Sequence, residues 1–101
     1  MGRRAFEDIL RQFHQCVENH HYVTTVHADE EMDADHLSVF DVERGILTGE
    51  ILERQKDAMS VEWKYRIQGY TLFDAAIEFG IKLGANGKAV VKPFTSHEPC
   101  N

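Results

Sequence analysis

VEWKYRIQ, residues 61–68, alternates apolar and polar side chains along its whole length. Such alternation is typical of a β-strand that buries one face and exposes the other to solvent. The residues predicted to face the interior are Val61, Trp63, Tyr65 and Ile67. The residues predicted to face outward are Glu62, Lys64, Arg66 and Gln68. This segment predicts a sheet with one covered face and one polar face.

Further strands are predicted on both sides of this segment. Residues 50–55 precede it and residues 75–83 follow it, both with strand-like patterns. The side chains of the later segment predicted to point inward are Ile77, Phe79, Ile81 and Leu83. The sequence GANG, residues 84–87, is typical of a tight hairpin and leads to a last strand over residues 88–94. Residues 22–26 are β-branched or aromatic and predict a short first strand.

The N-terminal half is predicted to be mainly helical. Residues 4–18 place their apolar side chains in one stripe at helical spacing. Acidic residues are predicted to begin a second helix over residues 29–35, because carboxylates favour the exposed amides of a helix start. Ser38 and Asp41 have the spacing of a capping box, which predicts a third helix that ends at Gly49.

The predicted element order is therefore α-β-α-α-β-β-β-β. This order is typical of a two-layer α+β fold, in which N-terminal helices pack on one face of a mainly antiparallel sheet. A length of 101 residues is that of a single domain. We assign this domain to residues 1–94 and expect residues 95–101 to form a flexible C-terminal tail.

Charge is distributed unevenly along the chain, whose net charge is −6. Residues 1–53 hold four Lys or Arg against twelve Asp or Glu, whereas residues 54–101 hold seven against five. The sequence therefore lacks the domain-wide basic surface used for broad nucleic-acid binding, although its second half allows a local site for an anion.

The expected location of the protein is the cytoplasm, without a membrane partner. No apolar run reaches the roughly 18 residues that span a bilayer, and the first residues lack the apolar stretch of a signal peptide. In that compartment Cys16 and Cys100 are expected to be free, reduced thiols.

Several segments carry a resemblance to a known family. The first are HADEEM at residues 27–32, HLS at 36–38 and DVERGILTGEI at 41–51. They are followed by Trp63-Lys64-Tyr65, Gly69, Lys82-Leu83-Gly84 and Gly87. Over residues 20–92 the chain resembles the bacterial and cyanobacterial domain-of-unknown-function 4258 family.

The resemblance implies a fold similar to that of RelE/ParE and BrnT toxins, small domains with helices packed on an antiparallel sheet. It also implies a toxin-like role in a type II toxin–antitoxin pair. This role implies an antitoxin protein as a partner. RNA is the second implied partner, because several relatives cleave RNA without a metal or other cofactor.

Metal-free RNA cleavage needs cations that stabilise the phosphorane charge and a group that transfers protons. The candidate cations lie on the predicted polar sheet face and are Lys64, Arg66, Arg54 and Lys82. Glu62 and Glu78 are expected close to them, where their carboxylates would neutralise part of the positive field. His27, which the resemblance carries, is the candidate proton donor, because nearby carboxylates favour the imidazolium form.

Two alternatives use the acidic segment around Met32. A zinc or manganese site could use His27, Asp29, Asp33 and His36, since positions 29, 33 and 36 would lie on roughly one face of a helix. The segment could instead attract a basic partner, since its carboxylates offer charge complementarity. The chain would then be a non-catalytic interaction module of the same fold, which binds an antitoxin or a second copy of itself through the acidic helix.

Overall fold

The computed structural model of the protein describes residues 4–56 and 62–92. Within these residues the chain forms three helices and five strands in the predicted order. The helices are α1 (Arg4–Glu18), α2 (Val26–Ala34) and α3 (Val39–Thr48). The strands are β1 (Tyr22–Thr24), β2 (Glu50–Lys56), β3 (Trp63–Tyr70), β4 (Ala76–Leu83) and β5 (Ala89–Lys92). The α+β class predicted from the sequence is confirmed.

The strands form one sheet in the order β1-β5-β4-β3-β2. The pairs β2–β3, β3–β4 and β4–β5 are antiparallel, and β1 pairs with β5 in parallel. A parallel pair requires a long connection, and α2, α3 and three strands lie between β1 and β5 along the chain. The sheet is mainly antiparallel, as predicted.

The core lies between the helices and one face of the sheet. Phe13 of α1 and Ile46 of α3 are fully buried and belong to one apolar cluster with Ile67 of β3 and Ile81 of β4. Burial of one such large side chain contributes about 1.5–3 kcal/mol to folding. The predicted two-layer packing follows from this cluster.

The alternation predicted for β3 and β4 is confirmed over most of their length. Tyr65, Ile67, Ile77, Phe79 and Ile81 are buried, and Leu83 is partly buried against them. Trp63 differs, because 39% of its surface is exposed at the start of β3. The prediction for Val61 lies outside the described residues.

The first strand is shorter than predicted, and the second helix begins earlier. Thr25 is the N-cap of α2, since its hydroxyl accepts a hydrogen bond of 3.1 Å from the Ala28 amide. A threonine cap satisfies an amide that has no helical partner, so the chain turns into a helix at Val26. The predicted strand over 22–26 therefore ends at Thr24.

The third helix begins and ends as predicted. The Ser38 hydroxyl accepts from the Asp41 amide, and the Asp41 carboxylate accepts from the Ser38 amide, which together form a capping box. Gly49 follows the last turn with extended backbone, at a φ of −89°. A Cβ at this position would lie 2.4 Å from the carbonyl oxygen of Gly45, so close approach explains the glycine.

The backbone of α3 lies directly against the backbone of β3. A Cβ added to Gly69 of β3 would lie 2.2 Å from the carbonyl oxygen of Gly45 in α3. Only a residue without a side chain leaves room for this contact. The contact sets the position of α3, and with it the position of the capping box and of the residues around it.

Several predictions concern residues outside the described ranges. These are the tail over residues 95–101, the end of the last strand beyond Lys92, and Cys100. Cys16 lies within the described ranges as a buried free thiol, 3.4 Å from the carbonyl oxygen of Gly87. None of the helices in the described part of the chain has both the length and the apolar character needed to cross a bilayer.

Candidate functional site

A cleft of about 300 Å³ opens between α2 and the sheet. Its walls come from α2, the start of α3, the β3–β4 turn, β4 and the end of β5. The apolar residues that line it are Ala28, Met32, Leu37, Val42, Ala75, Ala76, Ile77, Phe79 and Val91. Most of these side chains belong to the core cluster or pack against it. The cleft is therefore an opening of the hydrophobic core toward solvent.

The helix above this cleft is acidic on nearly every side. Of its residues only Ala28 is buried and Met32 half-buried, which explains why a cleft remains beneath it. The exposed carboxylates of α2 and its C-cap, called the acidic surface below, are Asp29, Glu30, Glu31, Asp33 and Asp35. Glu31 and Asp35 also line the cleft, together with Glu78 and Lys92.

The acidic surface is held at its start by local hydrogen bonds. Thr25 caps the helix, and the Thr24 hydroxyl donates a hydrogen bond of 2.6 Å to the Asp29 carboxylate. The negative charge of Asp29 lies in the first turn, where the helix dipole stabilises it. Glu31, Asp33 and Asp35 lie nearer the negative end, where the dipole does not offset their repulsion.

The β3–β4 turn forms the opposite wall of the cleft, and Asp41 fixes it in place. The Asp41 carboxylate accepts hydrogen bonds from the Ser38 amide and from the Leu72 amide, each at 3.0 Å. These bonds hold the pKa of Asp41 below its usual value of 3.8. Inside the turn, the buried Thr71 hydroxyl accepts from the amides of Phe73 and Ala75.

Tyr22 joins β1 to α3 next to the core. Its hydroxyl donates a hydrogen bond to the Glu43 carboxylate. Burial, followed by the hydrogen bond and the charge of Glu43, raises the pKa of Tyr22 to about 12. The phenol is therefore neutral at physiological pH and acts as a fixed donor to Glu43.

The predicted cations Lys64, Arg66 and Lys82 lie on the outer face of the sheet, opposite the core. Arg66 Nη1 lies 2.8 Å from Glu78 Oε2, and Arg66 Nε lies 3.0 Å from Glu53 Oε2. Lys82 Nζ lies 2.9 Å from Glu62 Oε1. The hydrogen bond to Glu78 raises the pKa of Arg66, so the guanidinium stays charged.

The outer face is therefore a mixed surface in which acids accompany cations. The predicted neutralisation by Glu62 and Glu78 is confirmed, and Glu53 adds a third carboxylate. Partnered cations attract a phosphate less strongly than a convergent cluster of cations would. This geometry gives less support to RNA cleavage than the sequence suggested.

The predicted placement of Arg54 on the same polar face as Lys64 and Arg66 is wrong. The pairing register between β2 and β3 shifts between Ile51 and Glu53, as in a β-bulge. Beyond this shift Glu53 pairs with Arg66, and Arg54 pairs with the buried Tyr65. A shift by one residue turns a side chain to the other face, so Arg54 lies on the inner face.

His27 is also separated from the outer-face cations. It lies in the first turn of α2 with 83% of its side chain exposed, and its Nδ1 is 3.6 Å from Glu30 Oε1. The sheet order places two strands between β1, which precedes His27, and β3. Neighbouring strands are about 4.8 Å apart, so β1 and β3 are separated by about 14 Å.

The metal alternative is not supported by the described part of the chain. Within residues 4–56 and 62–92, His, Cys, Asp and Glu side chains form no group of three or more that could hold a metal ion. The four candidate ligands lie along α2 and just beyond its C-terminal end, and they do not meet at one point. They are His27, Asp29, Asp33 and His36.

The sequence pattern did not predict the cleft. Its lining joins side chains from segments as distant as Ala28 and Val91, and strand order alone brings them together. One signal was present in the sequence: α2 has few apolar residues, so little of its surface can cover the sheet beneath it.

Comparison with known proteins identifies a family to which the chain is similar. A family model described as a domain of unknown function (DUF4258) matches residues 16–93. No curated protein matches the chain. No solved structure matches it either. The resemblance noted in the sequence to this family is confirmed.

Proposed function

The chain belongs to the DUF4258 family of domains of unknown function, and from the geometry of the cleft we propose that it binds a protein partner. The partner supplies a basic segment whose lysine or arginine residues face Glu31 and Asp35. An apolar side chain of the same segment enters the cleft beside Met32. In the toxin–antitoxin setting that the RelE/ParE and BrnT resemblance implies, this partner is the antitoxin.

One observation carries the proposal: the apolar cleft and the acidic surface meet at Glu31 and Asp35. Binding pockets for small ligands measure roughly 300–1,000 Å³, so a cleft at the lower end suits one or two side chains. Burial of an apolar anchor supplies affinity, and the carboxylates raise the rate of encounter with a basic segment. A surface that served only solubility would need no apolar opening.

The test measures partner binding after charge reversal at the rim. Proteins that co-purify with the chain are identified, and the binding of each purified candidate is measured by calorimetry. We expect Glu31→Lys with Asp35→Lys to weaken binding about tenfold or more. Both positions lie near the end of α2, where lysine is compatible with the helix dipole.

The matched control changes the same charge on another helix. Glu7→Lys with Glu18→Lys alters two exposed carboxylates of α1 and should leave binding within about twofold, since these residues lie outside the cleft. Equal weakening by both double variants would contradict the proposal, as would a chain that binds no protein and stays monomeric. A dimer that Glu31→Lys and Asp35→Lys dissociate would identify the partner as a second copy of the chain.

RNA cleavage is a second candidate, favoured by the common face of Lys64, Arg66 and Lys82. The described helices pack on the opposite face, so RNA could reach these cations if it displaced Glu53, Glu62 and Glu78. The test is induced expression with RNA integrity measured in the wild type, Lys64→Ala and Arg66→Ala. Cleavage that both variants lose would support this function, and intact RNA with normal growth in the wild type would reject it.

A further inference from the structure

We propose a second binding site, independent of the cleft, in which Trp63, Arg54 and Lys56 bind single-stranded nucleic acid. A base stacks on the indole of Trp63, and the two cations contact the neighbouring phosphates. The site lies on the inner face of the β2–β3 pair, where the end of β2 meets the start of β3.

The three side chains meet because of the register shift in β2. After the shift Lys56 pairs with Trp63, and Arg54 pairs with Tyr65. Paired residues share a face, so both cations and the indole lie on one side. Arg54 Cζ lies 4.1 Å from the centroid of the Trp63 ring, and Lys56 Nζ lies 5.3 Å from it.

The helices cover this face only in part. Phe6 and Phe13 of α1 pack edge-on against Tyr65, with ring centroids 6.1 Å and 5.9 Å away. Trp63 lies two residues before Tyr65 in β3, where the helices cover the sheet less completely, and 39% of its surface is exposed. Arg54 and Lys56 are exposed as well. The aromatic row of the core thus continues to the surface, where it ends in an indole flanked by cations.

The charges around the indole favour an anion with a planar group. In the described parts of β2 and β3, the acids Glu50 and Glu53 pair with outward-facing Gln68 and Arg66. The side chains of Glu50 and Glu53 therefore belong to the outer side of this strand pair, whereas Arg54 and Lys56 lie on the same side as the indole. Exposed aromatic rings beside Lys and Arg are the elements by which proteins bind single strands without reading their sequence.

A base can compete with the guanidinium for the indole. An exposed cation–π contact is weaker than the stacking of a base on an aromatic ring. When a base replaces Arg54 on the ring, the released guanidinium remains close enough to pair with the phosphate of the same strand. Binding should be modest and sensitive to salt, because the whole chain carries a net charge of −6.

The single tryptophan of the chain makes a direct test feasible. Intrinsic fluorescence is titrated with an oligouridine of about ten nucleotides, with oligothymidine of equal length, and with an abasic oligonucleotide of the same charge. We expect the two strands with bases to quench Trp63 and the abasic strand to bind at least about tenfold more weakly. Quenching should decrease as salt rises.

Variants separate the site from general charge. Arg54→Gln should weaken the binding of labelled oligouridine by about fivefold, and Trp63→Ala by about tenfold, as measured by fluorescence anisotropy. Arg44→Gln removes the same charge from an exposed position on α3 and should change binding by less than about twofold. Circular dichroism confirms that each variant is folded.

Three results would overturn the proposal. They are the absence of quenching by any strand, equal weakening by Arg44→Gln and Arg54→Gln, and equal binding of the abasic and base-containing strands. The last result would identify a site for anions alone. Because none of these measurements involves Glu31, Asp35 or RNA cleavage, they do not depend on the function proposed for the cleft.

Discussion

Replacement of Gly69 by alanine is expected to destabilise the fold more than the same replacement at Gly45, Gly49 or Gly84. The new Cβ would lie 2.2 Å from the carbonyl oxygen of Gly45, 2.9 Å from its carbonyl carbon and 3.0 Å from its Cα. All three atoms belong to backbone, so no side chain can rotate away and α3 itself must move. Overpacking commonly costs about 1–3 kcal/mol, and this contact should reach or exceed about 3 kcal/mol.

The measurement is thermal unfolding followed by circular dichroism. For a domain of this size each 1 kcal/mol shifts Tm by about 4–8 °C, so we expect Gly69→Ala to lower Tm by more than about 10 °C. Such a shift removes a large part of the total stability of about 5–15 kcal/mol that is usual for small domains.

Two other glycines provide graded controls. At Gly84 a Cβ would approach no atom closer than 3.3 Å, so Gly84→Ala should change Tm by a few degrees at most. At Gly45 the closest atom is Ile77 Cγ2 at 2.9 Å, which belongs to a side chain. The effect of Gly45→Ala should therefore be intermediate. Equal Tm values for Gly69→Ala and Gly84→Ala would show that α3 does not rest on β3 as described.

The fold could be predicted from sequence where local patterns and tertiary packing agree. Period-two alternation identified β3 and β4, and the three-residue spacing of Ser38 and Asp41 identified the start of α3. The boundary between β1 and α2 could not be predicted from β-propensity, because Val26 follows the Thr25 cap and so begins a helix despite its branched side chain.

The candidate site was predicted less well, and the reasons are specific. Alternation placed Lys64 and Arg66 on one face, but the residue pattern of β2 did not reveal the shift between Ile51 and Glu53. Because of that shift, the outer face carries the carboxylate of Glu53 where the cation of Arg54 was expected. The cleft depends on long-range strand order, which no local pattern of α2 or β5 encodes.

Removal of one carboxylate oxygen at Asp41 should destabilise both α3 and the wall of the cleft. Asp41 Oδ2 accepts from the Ser38 amide and lies 3.3 Å from the Ser38 hydroxyl, while Oδ1 accepts from the Leu72 amide. In Asp41→Asn one of these oxygens becomes an NH2 group. Whichever way the amide is turned, a donor then faces a donor, and we expect Tm to fall by about 5–10 °C near neutral pH.

The effect should depend on pH in a defined direction. Hydrogen bonds from Ser38, and then from Leu72, lower the pKa of Asp41 below 3.8 in the folded state. A group with a lowered pKa contributes its stability above the unfolded value and loses it as pH falls through the folded value. The difference in Tm between wild type and Asp41→Asn should therefore be largest above about pH 5 and should decrease as the pH falls below 3.8.

Asp33→Asn is the matched control, because Asp33 is exposed on α2 and the same change there should move Tm by no more than about two degrees. Partner binding gives a second readout, since the bond to Leu72 holds the turn that carries Thr71 into the cleft lining. Asp41→Asn should weaken binding at temperatures where the variant is still folded. A variant that melts like the wild type at every pH would contradict the role given to Asp41, and the cleft wall would then need another support.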